Sequence, residues 1–282
     1  MAKILIVGCG DLGTEIAKSL HQSQHEVIGL RISQQSLPHH MQTIQADVTK
    51  VDTLNPLKNL NPHIIIYCIA ASVQTDENYH AHYVQGLKNV LTTQANNNQL
   101  QHVFFVSSTR MYGQNTQEIL NENSSTIPAD FGGERLLEAE ELLTKLSCKT
   151  TSLRLSGIYG PGRLYLVSTA KDINRWPVNN SWSNRIHRDD AARFIAFLVE
   201  KSFAQQLVER CYIVTDDMPT LQYDVLTWLA TQQHVDISHI QRPAIQGGKR
   251  LSNQRLRATG FELQYPDYQT GYSSVLASLS KS

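Results

Sequence analysis

The first thirteen residues restrict this chain more than any other stretch. In MAKILIVGCGDLG a short apolar run leads into Gly8-x-Gly10-x-x-Gly13. A run of that length ending in glycine reads as a buried strand. The residues that follow, DLGTEIAKSLHQS, put Leu12, Ile16, Ala17 and Leu20 on one helical face. Glycines at this spacing, between a strand and a helix, form a phosphate cradle. Gly8 permits the tight turn, Gly10 lets a pyrophosphate reach the backbone, and Gly13 lets the helix close on the strand. The helix start, with Asp11 and Leu12, offers N–H groups and a partial positive charge. The motif in this context predicts a dinucleotide site.

The same rhythm continues along the chain. HEVIGLR, PHIIIYCIAA, QHVFFVSST and TTSLRLSG read as further strands, and helices are expected near Glu77–Asn97 and Glu134–Leu146. Continuous apolar strands belong to a sheet covered on both faces. Alternation of strand and helix predicts an α/β fold with a Rossmann-type doubly wound parallel sheet. After Gly157 the alternation breaks, and turn-rich, aromatic and polar segments follow. We therefore expect a dinucleotide-binding domain over 1–156 and about 185–214. A small mixed substrate lobe is expected over 157–184 and 215–282.

Bulk properties exclude several function classes. The net charge is +0, which speaks against nucleic acid or an anionic membrane as partner. No apolar stretch approaches the ~20 residues of a spanning helix. The four cysteines form no Cys-x-x-Cys pair, and we read them as reduced thiols in a cytoplasmic protein. No metal site is expected. His39 and His40 are adjacent in a loop, His80 and His82 are two apart on a helix, and His21 and His25 lack an acidic partner pattern.

The second strand ends GLRIS, so Arg31 stands where an NAD site usually carries an acid. A guanidinium there suits a 2′-phosphate, which favours NADP(H) over NAD(H). Asp47 and Val48 in QADVTK are candidates for the adenine end. Ala70 and Ala71 are small enough for backbone to pass close to the cofactor, and Ser107 ends the fifth strand beside them.

SSTRMYG at Ser107–Gly113, together with the glycine turn, LRLSGIYGPGR and IHRDDAA, resembles the extended short-chain dehydrogenase/reductases, the NAD-dependent epimerase/dehydratase family. The resemblance spans nearly the whole chain. It implies a serine that orients the substrate oxygen, a tyrosine acid/base, and a lysine that holds the nicotinamide ribose, the last two spaced Tyr-x-x-x-Lys. Ser108 matches the serine. The Tyr-x-x-x-Lys position falls on Phe131-Gly-Gly-Glu-Arg135, and no Tyr-x-x-x-Lys occurs anywhere in the chain. The sequence thus resembles an atypical bacterial subgroup that keeps the nucleotide fold without the usual tyrosine. Its glycine spacing also departs from the Gly-x-x-Gly-x-x-Gly usual in the extended family.

Phe131 has no hydroxyl and cannot move a proton. Arg135 stays protonated but can bond ribose hydroxyls. Glu134, Tyr112 and His187 are the substitutes for proton transfer, each with an ordinary alternative: a helix-start acid for Glu134, packing for Tyr112, capping and packing for His187. Tyr159 is a further hydroxyl near the expected cleft. Arg110 and the cluster Lys249, Arg250 and Asn253 are candidates for an anionic substrate group. The resulting expectation is an NADP(H)-preferring oxidoreductase-like or epimerase/dehydratase-like protein acting on an unknown small polar, sugar-nucleotide-like substrate. The alternative is a non-catalytic NADP(H)-binding redox sensor, and a nucleotide-free scaffold is a third reading. Homodimers are common in the resembling family, and nothing in these residues signals one independently.

Overall fold

The computed structural model describes residues 1–23, 25–35, 37–38 and 41–280. His39 and His40 lie outside the described residues. By its contacts the chain divides into two units. The first holds Met1–Gly113, Thr126–Arg154 and Ala191–Tyr212, and the second Gln114–Ser125, Leu155–Asp190 and Ile213–Ser282. Residues 114–125 and 185–190, assigned from sequence to the nucleotide domain, therefore group with the second unit. The pairing explains the first of these. Ile119–Leu120 runs parallel to Arg250–Leu251, and the Glu122 carboxylate accepts from the Ile213 N–H at 2.8 Å.

The first unit is built on β1 (Lys3–Val7), β2 (Glu26–Arg31), β3 (Gln42–Gln45), β4 (Ile64–Tyr67) and β5 (His102–Ser108). The seven-stranded sheet runs Cys211–Val214, Lys149–Leu155, β5, β4, β1, β2, β3. The β1–β2, β1–β4, β2–β3 and β4–β5 pairs are all parallel. Order reverses between β1 and β4, so this is the doubly wound α/β sheet expected from the alternation. Its central strands are fully apolar because helices cover both faces: Ile4–Val7 and Ile64–Tyr67 are buried throughout. Helix α1 (Asp11–Gln22) buries Leu12, Gly13, Ile16, Ala17 and Leu20, the face its 3.6-residue period marks. It ends before His25, so His21 and His25 do not share a helix. His25 is instead buried, with Nδ1 accepting from the Ala2 N–H at 3.1 Å.

Two helices differ from the sequence reading. The one expected near 77–97 is an α-helical turn at Asp76–Tyr79, a π-helical stretch at His80–Gln85, and α-helix again at Gly86–Thr93. The Tyr67 hydroxyl donates to the His82 carbonyl inside the π stretch. A side chain inserted into the backbone ladder is a recognised cause of such a bulge. The helix expected from Glu134 runs Phe131–Leu143, so both glycines lie in its first turn. Asp130 caps it, accepting from the Gly133 N–H at 3.0 Å.

The second unit gathers Tyr165–Lys171, Gln222–Gln232 and Tyr268–Leu279 around an aromatic core of Tyr159, Trp176, Tyr223, Tyr268 and Tyr272. Asn180–Ser183 pairs antiparallel with Thr220–Leu221 and parallel with Ile245–Gly248, while Arg185–His187 runs parallel to Gly157–Tyr159. Among the described residues no helix is long and apolar enough to cross a membrane.

A buried histidine couples the first unit's stability to pH. His102 Nε2 lies 2.9 Å from Thr151 Oγ1, whose own hydrogen goes to the Glu209 carbonyl at 2.8 Å. Nε2 therefore donates, and Nδ1 accepts from the Ser202 hydroxyl at 2.7 Å. Burial, helped by the charge of Lys149, lowers the His102 pKa to about 4. The unfolded chain takes up a proton near pH 6.5 that the folded chain refuses until about pH 4. Stability is thus intact above pH 6.5 and falls as pH drops through that window, by on the order of 3 kcal/mol. Urea unfolding at pH 7 and pH 5 should show a drop in midpoint for the wild type that is smaller in His102→Gln. Equal drops would assign the acid sensitivity elsewhere.

Candidate functional site

The glycine turn closes in three ways. Gly8 has φ +100°, and a Cβ there would lie 2.5 Å from the Cys68 carbonyl oxygen. A Cβ on Gly13 would lie 2.3 Å from the Gly8 carbonyl oxygen. These two positions exclude side chains because protein backbone passes against them. Gly10 is different: a Cβ there meets nothing among the described residues within 4 Å. Gly10 is also the N-cap residue of α1, and its helix start has no side-chain cap among the described residues. Open space in front of an uncapped helix N-terminus, with Asp11 and Leu12 in its first turn, is what an anionic ligand requires.

At the end of β2, Arg31 donates from Nη1 to the Gln35 carbonyl at 3.3 Å and from Nη2 to Gln35 Oε1 at 3.0 Å. Its Nε is buried without a hydrogen-bond partner among the described residues. Beyond β3, Asp47 accepts from the Thr49 hydroxyl at 2.7 Å and the Thr49 N–H at 2.9 Å. Partial burial opposes its charge, but the Thr49 bonds and Lys50 outweigh this and hold the carboxyl below its usual range. Val48 is buried, and its carbonyl accepts from Asn89 at 2.8 Å. The turn therefore orders Asp47 without consuming all of its acceptor capacity.

A second group of residues stands at the carboxyl ends of β4 and β5. Ala70 is exposed and Ala71 half-buried just after β4. Ser107 is buried with its hydroxyl lacking a partner among the described residues, while the Ser108 hydroxyl accepts from the Arg110 N–H at 3.2 Å. Arg110 is heavily engaged. Its Nε donates to Asp130 Oδ1 and Oδ2 at 2.9 and 3.1 Å, and its Nη1 to Gln74 Oε1 and Tyr79 Oη, both at 2.8 Å. The guanidinium lies over the rings of Tyr79 and Phe131, 5.1 and 5.3 Å from their centroids. A Cβ on Gly132 would come within 2.4 Å of the Arg110 guanidinium carbon. The glycine in this helix start is thus room for an arginine. Arg110 is not an open site for a substrate anion.

Arg135, one helical turn on, clamps Asp76 through Nε at 2.7 Å and Nη2 at 3.0 Å, and reaches Glu138 through Nη1 at 2.8 Å. A guanidinium has five N–H bonds, so two remain. Glu134 is exposed in the first turn, where its charge favours the helix dipole. Tyr112 leaves the list of proton-transfer candidates. It is fully buried, and its hydroxyl accepts from Arg154, which is itself held by Glu140 at 2.7 Å. Tyr79, Gln74, Asp76 and Asp130 were absent from the sequence reading.

In the second unit, His187 is 1% exposed, between the rings of Tyr159 and Tyr265 at 5.2 and 3.9 Å. Its Nδ1 accepts from the Asp189 N–H at 3.2 Å, which leaves the neutral-ring proton on Nε2. Burial lowers its pKa against the pull of Asp189 and Asp190, so it packs as a neutral ring. Asp190 accepts from the Gln264 and Tyr265 N–H groups at 2.9 and 2.7 Å. Tyr159 is buried, which pushes its phenol far above its usual range. These residues build the unit's interior. The basic stretch is also partnered: Arg250 bonds the Gln117 carbonyl and lies over Trp182, and Asn253 bonds Asp217 at 2.7 Å.

Comparison with known proteins identifies the family. Residues 4–209 match the model of the NAD dependent epimerase/dehydratase family. The chain is similar to protein YeeZ of Escherichia coli K12, 26% identical over 95% of this chain and 97% of that one. A solved structure from Methylobacillus flagellatus, provisionally named an NAD-dependent epimerase/dehydratase, is 48% identical with a TM-score of 0.91, and 99% of each chain is covered. The UDP-glucose 4-epimerase of Thermus thermophilus, solved with NAD, shares the fold at 18% identity and TM-score 0.79, with 98% of each chain covered. With most of its length matched by the family model, the chain belongs to the NAD dependent epimerase/dehydratase family.

Proposed function

We propose that this chain is an NADP(H)-preferring enzyme of oxidoreductase, epimerase or dehydratase type, acting on a small polar substrate of nucleotide-sugar kind. The observation that carries the reading is Gly10, whose missing side chain borders open space at an uncapped helix N-terminus. The residues present fit a dinucleotide. The turn at Gly8, Gly10 and Gly13, with the first N–H groups of α1 at Asp11 and Leu12, would hold the pyrophosphate. Arg31, with its buried and unpartnered Nε, would hold a 2′-phosphate. Asp47 and Val48 would border the adenine, Ala70, Ala71 and Ser107 the far half, and the two remaining N–H bonds of Arg135 its ribose. When bound, the nicotinamide ring supplies or withdraws an electron pair together with one hydrogen.

The Thermus epimerase was solved with NAD and acts on UDP-glucose, which supports the cofactor and substrate classes at the level of fold. The preference for the 2′-phosphorylated form rests on Arg31 alone. Ser108 would orient a substrate oxygen. A second reading, an NADP(H)-binding sensor without turnover, is favoured by one observation: Phe131 offers no hydroxyl at the head of its helix. Both readings need the cofactor, and the scaffold reading does not.

Titration with NADPH and NADH at matched salt tests this. Wild-type protein should bind NADPH more tightly. Arg31→Asp should weaken NADPH by about 10- to 100-fold, the worth of a charged hydrogen bond, and spare or improve NADH. Equal loss for both dinucleotides would show that Arg31 does not read the 2′-phosphate. No binding of either would leave the scaffold.

A further inference from the structure

We propose that the hydroxyl of Tyr79, held by Arg110, faces the reactive nicotinamide end of the bound dinucleotide and is the proton-transferring group of this chain. The proposal rests on the dinucleotide reading above. Strand order locates the two halves of such a ligand. Order reverses between β1 and β4, and dinucleotides lie across that crevice at the carboxyl ends of the strands. The glycine turn follows β1 and Arg31 ends β2, so the adenine half belongs to the β2–β3 side. The other half then lies over β4 and β5, about 10 to 14 Å from β2 at the usual strand spacing.

That end of the sheet carries the Arg110 cluster. Gln74 and Tyr79 follow β4, Arg110 follows β5, and Phe131 heads the next helix. An arginine only donates, so Tyr79 Oη accepts from Arg110 Nη1 at 2.8 Å and turns its own hydrogen to Gln74 Oε1 at 3.0 Å. Tyr79 is itself 7% exposed, but its phenol is held on one side by the half-buried Arg110 and on the other by the exposed Gln74 amide, whereas the Tyr112 hydroxyl is held by a buried arginine, Arg154. Asp130 fixes the guanidinium from a third side, and the absent Cβ of Gly132 makes the space for it. Phe131 packs edge-on against Tyr79, with centroids 5.4 Å apart. A hydroxyl absent at position 131 is thus supplied by its neighbour.

The chemistry balances. Carbonyl reduction needs one proton on oxygen besides the electron pair and hydrogen drawn from the nicotinamide. The Tyr79 O–H bond breaks, its proton passes to that oxygen, and the phenolate left behind stays bonded to Arg110. Water at the exposed Gln74 side returns the proton. Oxidation of an alcohol runs the same transfer in reverse.

The test labels the 11 tyrosines at Cζ with ¹³C and identifies the Tyr79 resonance by its absence from Tyr79→Phe. NADP⁺ should move that resonance, and 2′,5′-ADP, which lacks the nicotinamide half, should leave it in place. In Arg110→Met the resonance should shift in the free protein and its response to NADP⁺ should shrink. A Tyr79 signal unmoved by saturating NADP⁺, or moved equally by 2′,5′-ADP, overturns the proposal. Failure to bind any nicotinamide dinucleotide overturns the underlying reading instead, and is read from the titration rather than from the tyrosine signal.

Discussion

The first unit depends on one close approach. The Gly13 backbone lies against the Gly8 carbonyl, and Gly8 lies against the backbone of Cys68 just after β4. Side chains at either position would force β1, α1 and β4 apart. With them absent, the helix start sits directly above the strand ends, and its N–H groups aim into the crevice where strand order reverses. The fold and the proposed phosphate site are therefore one feature: the contact that packs the sheet also presents the helix start to which the pyrophosphate is assigned.

A second close approach shapes the other end of that edge. Glycine is among the poorest helix formers, so two in succession in a first turn need a reason. Gly132 has one in the Arg110 guanidinium packed against it, and a Cβ on Gly133 would lie 3.0 Å from both the Arg110 carbonyl oxygen and Pro128 Cβ. Arg110 draws Gln74, Tyr79 and Asp130 together, and Arg135 clamps Asp76 on the same short helix as Tyr79. Two arginines thus tie the segment after β4 to the Phe131–Leu143 helix. Arginine suits this work because its planar fork bonds several partners at once and keeps its charge.

The sheet was legible because its strands are unbroken apolar runs such as Ile64–Ile66, and α1 because its buried face repeats at the helical period. What escaped depends on partners distant in sequence. The π-helical stretch answers to Tyr67, 15 residues before His82. Tyr112 is buried with its hydroxyl bonded to Arg154, 42 residues on. Tyr79 drew no notice because nothing in its own segment marks it, and the arginine that holds it is 31 residues away. Helix propensity misplaced the start of the Phe131–Leu143 helix, since the Asp130 cap and the packing of Arg110 override two glycines.

Gly10 separates fold from ligand most cleanly, because its missing side chain faces space that no described residue fills. The decisive measurement is the melting temperature and the NADPH and NADH affinity of Gly10→Val beside the wild type. The expected result is a melting temperature within about 2 °C of wild type, a stability change below roughly 1 kcal/mol, together with loss of binding for both dinucleotides. Undiminished binding in a folded Gly10→Val protein would contradict it, because the pyrophosphate would then lie somewhere other than the turn between β1 and α1.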